Sequence, residues 1–193
     1  MRDAEYQPDQ IGAYGATEQP AVAARMAPHL RMTEIGAVAA VVAVVLAVVA
    51  VVRFPSFDAS GTGIGWAVTA LIGAVLMLAV CVIQVAVWLR AIASWRGQRV
   101  QDLHGEARLS WITHLCSYPV VVIALLGSIA GSTYATFAAT SAVLLGLSLL
   151  FVLVAQVLAG VQYLRPSGPP GTLPAHMRRL IQRSQQREDD RDF

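Results

Sequence analysis

Residues 35–52, 65–89, 109–130 and 137–164 form four stretches that contain no Asp, Glu or Arg. Each is close to or above the roughly 20 helical residues needed to cross about 30 Å of hydrocarbon. Inside lipid, every backbone N–H and C=O must find its partner within the segment, so each stretch is expected to be a helix. This requirement overrides the weak helix propensity of Val, which dominates the first run. Composition agrees: 56% hydrophobic residues, 13% charged residues and a mean hydropathy of +0.58 are too apolar for a soluble domain. The expected fold is all-α: an integral membrane four-helix bundle with a disordered N-terminal tail and a short C-terminal amphipathic helix. The first run exceeds a signal-peptide core of about 7–15 residues and no A-x-A site follows it, so it reads as a retained anchor.

Orientation follows from Arg near the ends of the runs. Arg25 and Arg31 precede the first, Arg90, Arg96, Arg99 and Arg108 lie between the second and third, and Arg165, Arg178 and Arg179 follow the fourth. The opposite side has Arg53 alone, so both termini are expected in the cytoplasm of a multi-pass cell-membrane protein. Trp66, Tyr134 and Phe137 fall at the outer edge, and Trp88, Trp111 and Tyr163 at the inner one, as interfacial aromatics do. All 14 basic residues are Arg, and Ala and Val dominate the apolar positions, as in GC-rich bacterial coding.

Domain limits follow from the same pattern. Residues 1–33, rich in Gln, Gly, Pro and mixed charge, are expected to be a disordered cytoplasmic tail. Residues 34–165 are the four-span domain, and residues 166–193 a cytoplasmic linker and amphipathic tail. In that tail Leu173, Met177, Leu180 and Ile181 share one face against Arg178, Arg179, Arg183 and Arg187, a pattern suited to anionic lipid or a partner protein. Val85, Trp88, Ile92 and Trp95 form a helical stripe, so the second helix is expected to run on along the headgroups and stop near Gly97.

Small residues suggest how the spans pack. Gly127 and Gly131 form a GxxxG, and Ala138, Ala142 and Gly146 repeat the same step on the fourth run. A short connection makes these runs antiparallel, which sets Gly131 opposite Ala138 and Gly127 opposite Ala142. Continued inward, the same register sets Thr113 opposite Gln156 as a hydrogen-bonded pair, with Cys116 a small buried thiol. Cys81 reads likewise, and two thiols within the spans argue against a structural disulfide. His114, turned about 100° from Thr113, then faces away from the fourth helix. Gln84, at matching depth on the second, is its expected hydrogen-bond partner.

The candidate polar cluster within the spans is therefore Gln84, Thr113, His114 and Gln156. A haem needs two axial ligands from different spans, but His29, His104 and His176 lie outside the runs. Proton-coupled transport normally places Asp, Glu or Arg within the spans. Neither P-loop, GxSxG, HExxH nor CxxC is present, and no cofactor or metal is expected. A net charge of +2 with scattered Arg does not point to nucleic acid. The first run offers Ala40, Ala43, Ala47 and Ala50 along one flank, a surface open to another protein's helix. The expected function is that of a non-catalytic accessory or scaffold subunit. Its partners would be other integral membrane proteins or copies of itself. The alternative is a small transporter, or a quinone- or lipid-binding protein with a site near Gln84, His114 and Gln156, with Tyr118 one turn on.

Overall fold

The computed structural model describes residues 19–54, 61–95, 103–135 and 139–161. Among the described residues there are four helices and no strand: α1 (Gln19–Val52), α2 (Thr62–Trp95), α3 (Leu103–Tyr134) and α4 (Ala139–Val161). All four contain segments long and apolar enough to cross a membrane: Ala27–Val52, Thr62–Ala93, Leu109–Tyr134 and Ala139–Val161. The architecture is an all-α four-helix bundle. Helices α1 and α2, at 34 residues each, and α3 at 32, are about 50 Å long, well beyond the hydrocarbon thickness.

Helix α1 starts well before the apolar run. Residues 19–33, expected to belong to a disordered tail, form its first turns, because the span nucleates a helix and the Ala-rich stretch after Gln19 propagates it cheaply. Pro28 stands inside this helix, and two contacts hold the turn that follows it. The Thr33 hydroxyl donates to the His29 carbonyl at 2.9 Å, and the His29 ring stacks on Trp88 of α2 with centroids 5.3 Å apart and planes 9° from parallel. Trp88 and Ile92 are consequently buried in the bundle rather than spread along headgroups. Helix α2 ends at Trp95, close to the expected stop. Residues 1–18 and the basic amphipathic segment of 166–193 lie outside the described residues.

Each helix contributes one stripe to the core. On α1 it is Ala39, Ala40, Ala43, Ala47 and Ala50, on α2 Ala67, Ala70, Ala74, Met77 and Cys81, on α3 Val120 and Ala124, and on α4 Leu145, Val152 and Ala155. The alanine flank of α1 is thus consumed within the bundle and is not a surface for a partner. The outward faces carry bulky apolar side chains such as Val38, Val45, Ile72, Val82, Leu126, Ile129, Val143 and Val157. In water such a surface would be prohibitive, whereas hydrocarbon solvates it without penalty.

The glycine stripe of α3 meets α2 more closely than α4. A Cβ on Gly127 would run into the Ala70 backbone nitrogen and lie 2.7 Å from the Ala70 Cα. One on Gly73 would lie 2.7 Å from both the Cα and the N of Ala124. Gly131 sits between Ala67 of α2 and Leu145 of α4. The antiparallel pairing runs Ala67 to Gly131, Ala70 to Gly127, Gly73 to Ala124, and backbones approach this closely only because side chains are missing at the crossing. This is the most extensive interface of the bundle, and α3 shares much less with α4. Ala142 is half-buried near the outer end, Gly146 faces outward with open space around it, and Ala138 lies outside the described residues.

Candidate functional site

Among the described residues, seven of the ten buried polar side chains gather at the end of the bundle where α1 begins: His29 and Thr33 from α1, Gln84 from α2, and Ser110, Thr113, His114 and Ser117 from α3. The helix pairings explain why they share a level. Continuing the α2–α3 register inward from Gly73 and Ala124 sets Gln84 beside Thr113, and the His29–Trp88 stack sets Thr33 beside Gln84. Toward the middle of the bundle this layer is bounded by one apolar cluster, which includes Ala40, Ala43, Ala74, Met77, Ala124 and Val152.

Within the layer, the hydroxyls of Thr33, Thr113 and Ser117 turn to their own helices. Thr113 Oγ1 lies 2.8 Å from the carbonyls of both Leu109 and Ser110, and Ser117 Oγ donates to the His114 carbonyl at 2.6 Å. Back-bonding of this kind satisfies a hydroxyl in hydrocarbon without a partner helix. The expected Thr113–Gln156 bond is therefore not made, and Gln156 Oε1 is shielded with no hydrogen-bond partner among the described residues. A different bond joins α4 to its neighbour. Ser148 Oγ donates to the Ala43 carbonyl of α1 at 2.8 Å, a cross-helix contact that the hairpin register gave no reason to expect.

His114 is buried, but on the opposite flank from the one expected: a Cβ built on Gly160 of α4 would lie 3.7 Å from His114 Cε1. One rotation accounts for this and for the glycine stripe. With the Gly127 face of α3 turned to α2, a residue about 100° or more away around the helix turns to α4. The absent side chain at Gly160 leaves room for the imidazole. Its Nε2 lies 3.1 Å from the Tyr118 hydroxyl, and Trp111 meets its ring edge-on at 6.1 Å between centroids. Trp111 and Tyr118 are exposed on the bundle's outer face. Cys116, expected to be buried, is exposed at the rim of the same helix, whereas Cys81 is fully buried.

Two arrangements thus occupy this end of the bundle. One is an interior polar layer bonded largely into its own helices, and the other an aromatic–imidazole group, Trp111, His114 and Tyr118, on the lipid side of α3 beside α4. Among the described residues, no three His, Cys, Asp or Glu side chains are placed to hold a metal ion. No family model, curated protein or solved structure matches the chain.

Proposed function

We propose that this four-helix membrane protein is a non-catalytic accessory or scaffold subunit, held by other integral membrane proteins or by a second copy. Gly146 carries the reading. Gly73 and Gly127 have backbones pressed against them, whereas Gly146, on the exposed face of α4, has nothing within 4 Å of a Cβ position. A glycine in a helix interior costs about 1 kcal/mol relative to alanine, and nothing inside the bundle compensates here. Beside Val143 and Leu150, it forms a shallow depression into which another helix can settle. The interior supports the same reading, since the cluster beyond the polar layer is a packed apolar plug rather than a lined path.

Orientation belongs to the proposal. Exposed Arg31 and Arg90 occupy one end of the bundle and Arg53 the other, which supports an inner end bearing both termini in a bacterial cytoplasmic membrane. The basic C-terminal segment would then face anionic lipid on that side. The test is co-purification in mild detergent of wild type and Gly146→Leu, followed by mass spectrometry and determination of oligomeric state. A membrane subunit or second copy retained by wild type and lost from the variant, at equal expression, supports the proposal. A monomer without companions in both samples refutes it.

A further inference from the structure

Pro119 lies inside α3 and has no N–H, so the carbonyl of Leu115, four residues earlier, loses its helical donor. That carbonyl belongs to a residue whose side chain is 61% exposed on the outer face. Pro119, whose ring abuts this carbonyl, is exposed as well, so the acceptor lies on the lipid side of α3, where one left without a donor costs several kcal/mol. Tyr118, three residues on and about 60° around the helix, is itself 53% exposed. Its hydroxyl has one donor hydrogen and two lone pairs, and the contact with His114 Nε2 uses only part of that capacity. Trp111 extends the same face by two turns, exposed and edge-on to His114.

Depth restricts what can meet these groups. Tyr118 lies sixteen residues from Tyr134 at the other end of α3, which places its backbone about 24 Å along the helix. Its hydroxyl, reaching back one turn to His114, stands near the inner limit of a hydrocarbon layer of about 30 Å. A ligand there must be membrane-soluble. It must also bring a donor, because a carbonyl only accepts, and its head should be neutral, because the Leu115 carbonyl and the Tyr118 hydroxyl carry no charge. Flat aromatic walls favour a ring.

We infer that the lipid-facing surface formed by Trp111, the Leu115 carbonyl and Tyr118 binds the head of a quinol, the reduced dihydroxy-ring form of a membrane quinone. One ring hydroxyl donates to the Leu115 carbonyl, and the Tyr118 hydroxyl, held by His114, takes up a second hydrogen bond. The oxidised form lacks a donor and binds less tightly. The inference is independent of the accessory role, since this surface lies on α3 and Gly146 on α4.

The test is calorimetric titration, under anaerobic conditions, of a short-chain quinol analogue into the full chain in phosphatidylcholine nanodiscs, with empty discs as the blank. Binding is expected to be saturable and one-to-one, with the oxidised analogue roughly 3- to 10-fold weaker, as loss of one hydrogen bond implies. Tyr118→Phe removes the hydroxyl, and Pro119→Ala restores the helical donor to Leu115; each should weaken quinol binding by a similar factor. Both positions are exposed, and because Tyr118→Phe also removes the contact with buried His114, its thermal stability is measured alongside binding. Heats that match the empty discs, or an affinity unchanged in Pro119→Ala, overturn the inference. So does a phospholipid that stays bound in native mass spectrometry and is not displaced by the analogue.

Discussion

Replacing Gly127 by alanine adds a single methyl group at the closest approach in the bundle. The new Cβ would collide with the Ala70 nitrogen and stand 2.7 Å from the Ala70 Cα and 2.8 Å from the Thr69 carbonyl carbon. All three are backbone atoms, so no rotamer change relieves the contact. Carbon pairs settle at about 3.5–4.0 Å, and α2 and α3 must therefore open by roughly 1 Å, which weakens dispersion along the whole Ala67–Ala74 stripe. Overpacking of this kind costs about 1–3 kcal/mol, while the better helix propensity of alanine returns up to about 1 kcal/mol. Gly146→Ala receives the same propensity gain with no contact to disturb, so the difference between the two variants isolates the clash. Unfolding in mixed detergent and dodecyl sulfate micelles, followed by tryptophan fluorescence, measures both. Gly146→Ala should match or exceed wild type, and Gly127→Ala should fall below Gly146→Ala by about 1–3 kcal/mol. Equal stability of the two would refute the α2–α3 glycine crossing.

Other consequences are open to direct measurement. Cys116 is exposed and Cys81 fully buried, so a membrane-permeant maleimide should label one thiol in the native protein and two after denaturation; two labels at the outset would contradict this packing. Ser148→Ala removes the bond to the Ala43 carbonyl and should cost about 0.6 kcal/mol, the usual size of such bonds in membrane bundles, with a ceiling near 1.7. Leu145→Ala empties a fully buried position against Gly131 and should cost about 2–5 kcal/mol in the same unfolding assay; a loss below about 1 would mean that the outer core is not packed as described. His29→Ala should destabilise by about 0.5–1.5 kcal/mol beyond the lost area through its stack on Trp88, and the same substitution in a Trp88→Leu background should cost less.

The four helices were legible because hydrophobic length and backbone satisfaction leave a chain in lipid no other choice. The small residues were legible as packing positions too: Gly127, Gly131 and the alanines of α1 all lie at helix contacts. What they pack against was not. A constant antiparallel register can be drawn between α3 and either neighbour, because α2 presents Ala67, Ala70, Gly73 and Ala74 as a small-residue stripe of its own. The short α3–α4 connection favoured the wrong partner because chain proximity says which helices are antiparallel, not which share the closest surface. Ala70 and Gly73 face Gly127 and Ala124 at backbone distance, a fit the bulkier Leu145 and Ser148 of α4 do not offer.

The same choice governed the polar residues. Once α3 turns its glycines to α2, Thr113 goes with them and His114 swings to Gly160, so the Thr113–Gln156 bond is not made and His114 packs against the fourth helix instead of facing away from it. Glycine at Gly160 is the signal that was available in advance: a position without a side chain on the neighbouring helix of the hairpin, with room for an imidazole. Pro119 was a second one. Its effect reaches back to the Leu115 carbonyl and is independent of which neighbour α3 faces, because it follows from covalent structure alone. A polar feature of that kind survives an error in register, whereas a hydrogen bond drawn between two spans rests on every earlier choice of face.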